Sequence, residues 1–305
     1  MNNKHLRGTL ALLVCAFIWG STFVAQSSAA ENTPPFTFLA ARSFVGALAL
    51  LAISLITKPK NPKSATCGKT SRKRLLTVGA VCGTALAVAS ACQQYGITLG
   101  TGAGKAGFLT ALYLIFVPIL NYLIFRKKPG VFPIIGAVLA LLGLILLCDL
   151  GNSSAFCIAD MVTAGCGLCF AIHILIIDRY AFDLDSIRLS CIQFFVCGCI
   201  SLLLALIFEQ PTLDSVIRSA LPILYAGIFS SAIAYTLQIY GQKNCPPAAA
   251  TVLMSLESVF ALLCEAALAL FFQKPFPINR AESIGCLLMF AGVLLAQNPT
   301  RSRSK

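Results

Sequence analysis

Glu257 draws attention first because it is a carboxylate about ten residues into a long apolar run of this 305-residue chain. At a rise of about 1.5 Å per residue, that depth is near the middle of a lipid-length helix. Ionisable groups so placed are functional candidates, since a charge far from water needs a reason to be there. A carboxylate in that position can exchange a proton or hold a substrate ammonium; as a structural group it would tie its helix to a neighbour. Glu265 lies eight residues further on, about 80° around the same helix, where it either lines the same space or reaches water at the helix end. Arg42, under two turns into another apolar run, can grip a carboxylate bidentately or snorkel to the interface. His173, in a sixth run, titrates near neutral pH and suits proton exchange, or packs as an ordinary buried imidazole.

A second group is neutral. Gln93, Gln94 and Tyr95 close one run, and Tyr235, Gln238 and Tyr240 stand at matching depth in another. Amides and hydroxyls in lipid must find partners. They serve either to line a wet cavity for a polar solute or to bond helix to helix. Trp19 can cap such a cavity or pack against its wall. Pro118 removes one backbone hydrogen bond from its helix and frees the carbonyl of Leu114, which makes it a candidate gating hinge or a tolerated kink.

Other patterns carry little. Gly102-x-Gly104-x2-Gly107 spells a dinucleotide fingerprint, but that motif works only between a strand and a helix of a βαβ unit. Gly104-Lys105 lacks the spacing and the hydroxyl of a phosphate loop. The fourteen cysteines fall mostly inside apolar runs, where a thiol behaves as a small hydrophobe. Cys166-x2-Cys169 has no second pair at zinc-site spacing, so neither a metal nor any other cofactor is expected.

The elements that position these groups follow from composition. Hydrophobic residues make up 58% of the chain and charged residues 11%, with a mean hydropathy of +0.85. Soluble domains carry about 25% charged residues. The solvent around this chain is therefore expected to be a lipid bilayer. A spanning helix needs about 20 apolar residues, and ten such runs are predicted, at roughly 8–27, 36–56, 75–97, 105–125, 131–149, 157–177, 187–208, 219–240, 247–272 and 281–297. Placing the N-terminus inside puts eighteen of the 23 lysines and arginines in inner segments and four in outer ones, with Arg42 within a span. By the positive-inside bias both termini are cytoplasmic. The net charge of +12 then matches anionic headgroups, with no nucleic-acid partner required.

The chain also resembles itself. The surroundings of Trp19 and Phe170 align at an offset of 151, as do Phe38-x3-Arg42-x-Phe44 and Leu189-x3-Gln193-x-Phe195. Tyr95-Gly96 matches Tyr240-Gly241, and Gly136-x6-Gly143 matches Gly285-x6-Gly292. The expected domains are 8–149 and 157–297, five helices each. Five is odd, so the second copy enters the membrane from the opposite side. Inverted repeats of this kind are typical of secondary transporters with a midplane site.

Trp19-Gly20, Gly107-Phe108-Leu109-Thr110 through Pro118, Ala248-Ala249-Ala250 through Leu256-Glu257, and the paired Gly-x6-Gly helices together resemble the EamA-type branch of the drug/metabolite transporter superfamily over roughly residues 8–297. The resemblance implies an all-α integral membrane fold of ten inverted-repeat helices in a bacterial inner membrane, and export or exchange of amino acids or other small metabolites. One departure stands out: the family continues its ninth-helix Glu with Pro, whereas Glu257 precedes Ser258. Two symmetric kinks are therefore not expected. A membrane enzyme and a non-transporting scaffold are the alternatives. The sequence leaves the oligomeric state, the coupling ion and the direction of transport open.

Overall fold

The computed structural model describes residues 3–57, 68–101, 103–127, 129–147, 157–273 and 280–297. Lys58, Lys60, Lys63, Lys128, Lys274, Arg301, Arg303 and Lys305 of the charge tally and Gly102 of the glycine motif lie outside them.

All regular structure among the described residues is helical. The elements are α1 (Asn3–Ala30), α2 (Pro35–Ile56), α3 (Gly68–Thr98), α4 (Ala103–Thr110), α5 (Tyr113–Phe125), α6 (Val131–Leu147), α7 (Ile158–Tyr180), α8 (Ser186–Phe208), α9 (Leu213–Arg218), α10 (Ala220–Tyr225), a π-helix (Ala226–Ala234), α11 (Tyr235–Gln242), α12 (Pro247–Met254), α13 (Glu257–Phe271) and α14 (Arg280–Ala296). Taking α4 with α5, α10 through α11, and α12 with α13 as continuous rods, eight described helices are long and apolar enough to cross a membrane. Of the three left over, α9 has 6 residues, and α6 and α14 have 17 each. That is about 25 Å of helix, short of a ~30 Å hydrocarbon core.

Burial runs inside out relative to a soluble protein. Leu55, Ile56, Phe208 and Leu294 are exposed, whereas Arg42, His173, Gln193 and Glu257 are buried. A backbone of continuous helices satisfies its own polar groups in lipid, which leaves the exterior free to be apolar. Helix starts are capped where side chains allow. The Glu209 carboxylate accepts from the Phe36 and Thr37 N–H groups at 2.8 Å each and from the Thr37 hydroxyl at 2.7 Å, closing the first turn of α2. Asp185 accepts from the Arg188 N–H at the start of α8.

The chain's two halves meet through contacts that occur twice, with the halves exchanged. In α3, a Cβ on Gly96 would stand 3.0 Å from the Ala159 carbonyl of α7; in α11, one on Gly241 would stand 3.0 Å from the Gly8 carbonyl of α1. Gly83 faces the Gln193 carbonyl and Gly227 faces that of Arg42. Phe44 of α2 meets its repeat mate Phe195 of α8, with ring centroids 6.3 Å apart. Helices α6 and α14 cross antiparallel, Gly136 against the Gly292 carbonyl and Gly143 against that of Gly285.

The missing proline at Ser258 does not have the consequence expected of it. The helix breaks in both halves, at Ala111–Leu112 between α4 and α5 and at Ser255–Leu256 between α12 and α13. Shorter i→i+3 bonds close each break: the Leu114 N–H to Ala111, and the Ser258 N–H to Ser255. Tightening of this kind shifts the helix axis without proline. Ser258 itself is packed near Gly107 of α4, where a Cβ would come within 3.4 Å of its hydroxyl. Pro118 lies inside α5, past the break.

Candidate functional site

The two breaks bring α5 and α13 to the centre of the molecule, and glycines let the first helix of each half close on them. Gly20 of α1 lies against the Glu257 carbonyl, where a Cβ would be 2.6 Å away; Gly167 of α7 lies against the Leu109 carbonyl at 2.9 Å. Trp19-Gly20 thus has a local reason: the glycine admits the broken helix, and the indole beside it turns to the space that results.

That space is a cavity of ≈ 30 Å³ at the meeting of both halves, enough for one or two waters. From α1 come Trp19, Thr22 and Gln26; α2 supplies Arg42, α3 Gln93, and α5 Tyr113. The second half contributes Ile174, Ser230, Tyr235, Gln238 and Glu257. Of the residues singled out in the sequence, Trp19, Arg42, Gln93, Tyr235, Gln238 and Glu257 are brought together around this cavity.

Arg42 is 3% exposed. Its Nη1 donates to Gln26 Oε1 at 3.0 Å and its Nη2 to Ser90 Oγ at 3.4 Å, while its Nε finds no partner in the protein. Gln26 Nε2 passes the chain to Gln93 Oε1 at 3.2 Å, and Gln93 Nε2 donates to Thr110 Oγ1 at 2.9 Å. These neutral partners fix the guanidinium without neutralising it. Among the described residues no carboxylate forms an ion pair with Arg42.

Glu257 is 2% exposed and accepts one hydrogen bond, from the Tyr113 hydroxyl at 3.0 Å. Among the described residues no cation pairs with it either. The cavity therefore presents an acid from one half and a base from the other, each with capacity left. Trp19 Nε1 and Gln238 Oε1 add a donor and an acceptor without protein partners. Tyr235 forms the apolar floor, its ring centroid 4.8 Å from that of Trp19 and 5.1 Å from that of Phe194.

The other predicted residues lie elsewhere. His173 sits behind Tyr235, fully buried, with Nε2 3.2 Å from Gln193 Oε1. Gln94 turns away from the cavity and bonds the Gln26 backbone. Tyr95 is exposed and stacks on Phe36 with centroids 6.2 Å apart, because one residue step rotates a helix by about 100°. Tyr240 is likewise exposed, and half-buried Glu265 does not reach the cavity wall.

Sequence reasoning missed Gln26, Thr110, Tyr113 and Ser230. Gln26 had a readable signal: with Trp19 and Thr22 it forms a polar stripe at helical spacing on α1. Tyr113 had none, because only the fold reveals that it faces Glu257. Ser230 sits in the nine-residue π-helix, a rare form frequent at functional sites that no proline or glycine pair announces.

Comparison with known proteins gives the chain its relatives. The model of the EamA-like transporter family matches twice, over residues 6–148 and 158–297. An uncharacterized transporter of Archaeoglobus fulgidus is 26% identical over 292 residues, covering 96% of this chain and 86% of the relative. The uncharacterized transporter YwfM of Bacillus subtilis is 26% identical over 302 residues, covering 97% and 95%. A solved crystal structure superposes with a TM-score of 0.73 at 18% identity, covering 95% of this chain and 97% of the other, which is likeness of fold. The chain belongs to the EamA-like transporter family, within the drug/metabolite transporter superfamily, and is a membrane transporter.

Proposed function

We propose that this protein is a secondary transporter that exports or exchanges small metabolites such as amino acids, by alternating access around a site at the bilayer midplane. One observation carries the reading: Arg42 and Glu257 line the same buried cavity while neither is ion-paired among the described residues. A buried charge without a counter-charge is costly. A zwitterion, its carboxylate toward Arg42 and its ammonium toward Glu257, satisfies both at once. Trp19, Gln93, Tyr235 and Gln238 supply the remaining polar and apolar contacts.

A cavity of ≈ 30 Å³ is far below the ~300 Å³ of ordinary ligand pockets, so a solute enters only when helices move. The reciprocal contacts described above support two inverted five-helix repeats, 8–149 and 157–297, with α6 and α14 as the fifth and tenth spans. Antiparallel self-pairing of equivalent helices fits a two-fold axis in the membrane plane. Both termini lie in the cytoplasm of a bacterial inner membrane on this reading, in accord with the basic inner segments. Glu257 exchanges a proton with the solute or the medium, His173 is the second proton-exchange candidate, and Pro118 lets α5 flex.

Purified protein in liposomes tests this against a panel of amino acids, amines and carboxylates, with and without a pH gradient. The expected result is gradient-dependent flux of a zwitterion. Absence of flux for every solute would leave a scaffold, and chemical conversion without flux would mean an enzyme.

A further inference from the structure

Two glutamines outside the cavity wall repeat one another. Gln94 Nε2 donates to the Gln26 carbonyl at 3.3 Å, and Gln242 Nε2 donates to the Ile174 carbonyl at 3.3 Å. Each bond spans 68 residues, and donor and acceptor of the second follow those of the first by 148 positions. Each joins the third helical rod of its half to the first. Both acceptor residues line the central cavity. Both glutamines are almost fully buried, and the Oε1 of each finds no partner in the protein.

The chemistry of these bonds suits an element that opens. Each accepting carbonyl belongs to a helix, so the glutamine uses its second lone pair and the helix survives the loss of the bond. At 3.3 Å the bonds lie just beyond the usual range of about 2.7–3.2 Å, and interhelical side-chain bonds in membranes average only about 0.6 kcal/mol. The idle Oε1 atoms are acceptors waiting for a donor. Beyond Gln242 lies a second, polar hollow of ≈ 270 Å³, lined by Asp178, Gln242, Lys243 and Asn244. Gln242 thus borders the hollow while its acceptor Ile174 borders the cavity, and one helical turn of α7 and α11 separates the two.

We propose that Gln94 and Gln242 are paired latches on the two access routes to the central cavity, Gln242 closing the route from the polar hollow and Gln94 the route from the opposite face. The assignment of opposite faces rests on the inverted-repeat reading. A solute in the hollow meets Asp178 and Lys243 first, and passes when the Gln242 amide leaves Ile174 and its Oε1 accepts from the solute.

The test uses the full chain carrying Thr22→Cys, a near-isosteric reporter in the cavity wall, with modification at that position resolved by peptide mass spectrometry. Labelling by a membrane-impermeant maleimide is timed in vesicles of both orientations. Gln242→Met keeps the length of the side chain and removes the amide. It should raise labelling about threefold, the population shift that an average membrane hydrogen bond supports, from the face bearing Lys243 only. Gln94→Met should do the same from the other face only. Unchanged rates, or increases from one face for both variants, overturn the proposal. Gln→Ala at each position serves if a methionine variant does not purify as a monodisperse species with a normal melting transition. The labelling needs no solute, so loss of side-specificity in a protein that transports removes the latches alone, while absence of flux with side-specific labelling removes the transport reading alone.

Discussion

Tyr113 and Glu257 are the first residues after the helix break in their respective halves, 144 positions apart, and they bond each other across the centre of the molecule at 3.0 Å. The repeat therefore meets itself here with unlike side chains, a phenol donor and a carboxylate acceptor. Glu257→Gln keeps an oxygen that accepts from Tyr113, so the variant should fold with a melting temperature within a few degrees of the wild type. Proton-dependent flux in liposomes should nevertheless vanish, since an amide carries no exchangeable charge. A Glu257→Gln protein that still transports, and still responds to a pH gradient, removes Glu257 from the coupling step.

Arg42 should set selectivity for a carboxylate. Hydrogen bonds to charged groups contribute about 1.5–3 kcal/mol, so Arg42→Gln should raise KM for a carboxylated solute about tenfold to a hundredfold. The corresponding amine, lacking the carboxylate, should be affected much less. Arg42→Lys should recover only part of the loss, because an ammonium cannot form the two-pronged contact. Equal effects on both solutes would show that Arg42 only holds Gln26 and Ser90 in place.

How far these groups could be read from the sequence differs from one to the next. Glu257 and Arg42 were legible because ionised side chains inside apolar runs are rare and conspicuous. Tyr95 was misplaced in a cavity-lining set with Gln93: neighbouring residues share a depth, but helix rotation sends them to different faces. The break before Glu257 was hidden because proline is only one way to shorten a helical turn, and i→i+3 bonding at Ser255–Ser258 is another. The Tyr113–Glu257 bond depends on two breaks and two glycine contacts acting together. No local pattern carries that information.

Glycine at the crossing of α6 and α14 should be irreplaceable. A Cβ on Gly143 would lie 2.5 Å from the Gly285 carbonyl and 2.8 Å from Met289. Backbone cannot yield as a flexible side chain can, and overpacking costs about 1–3 kcal/mol. Gly143→Ala should lower the melting temperature by several degrees, and Gly143→Leu should do more. Gly165, on α7, has open space around it. Gly165→Ala should leave stability unchanged or raise it slightly, because alanine is favoured over glycine in a helix by about 1 kcal/mol. Similar losses at both positions would mean that close approach is not what selects glycine at Gly143.

Lys243 offers a pH test outside the spanning helices. Its ammonium donates to the Leu184 carbonyl and to Ser186 Oγ, joining the loop before α8 to the end of α11. Burial lowers its pKa from 10.5 to about 8, against the opposing pull of Asp185 and Asp183. Between about pH 8 and 10.5 the unfolded chain then holds the proton more fully than the folded one. Stability from this group should therefore rise with pH through that window, and should be flat below about pH 8, where both states are protonated. Lys243→Met should abolish that rise relative to the wild type. Melting curves of both proteins from pH 7 to 10 check the sign, and a wild-type curve that falls relative to the variant over this range would mean that the two hydrogen bonds outweigh burial and hold the ammonium charged.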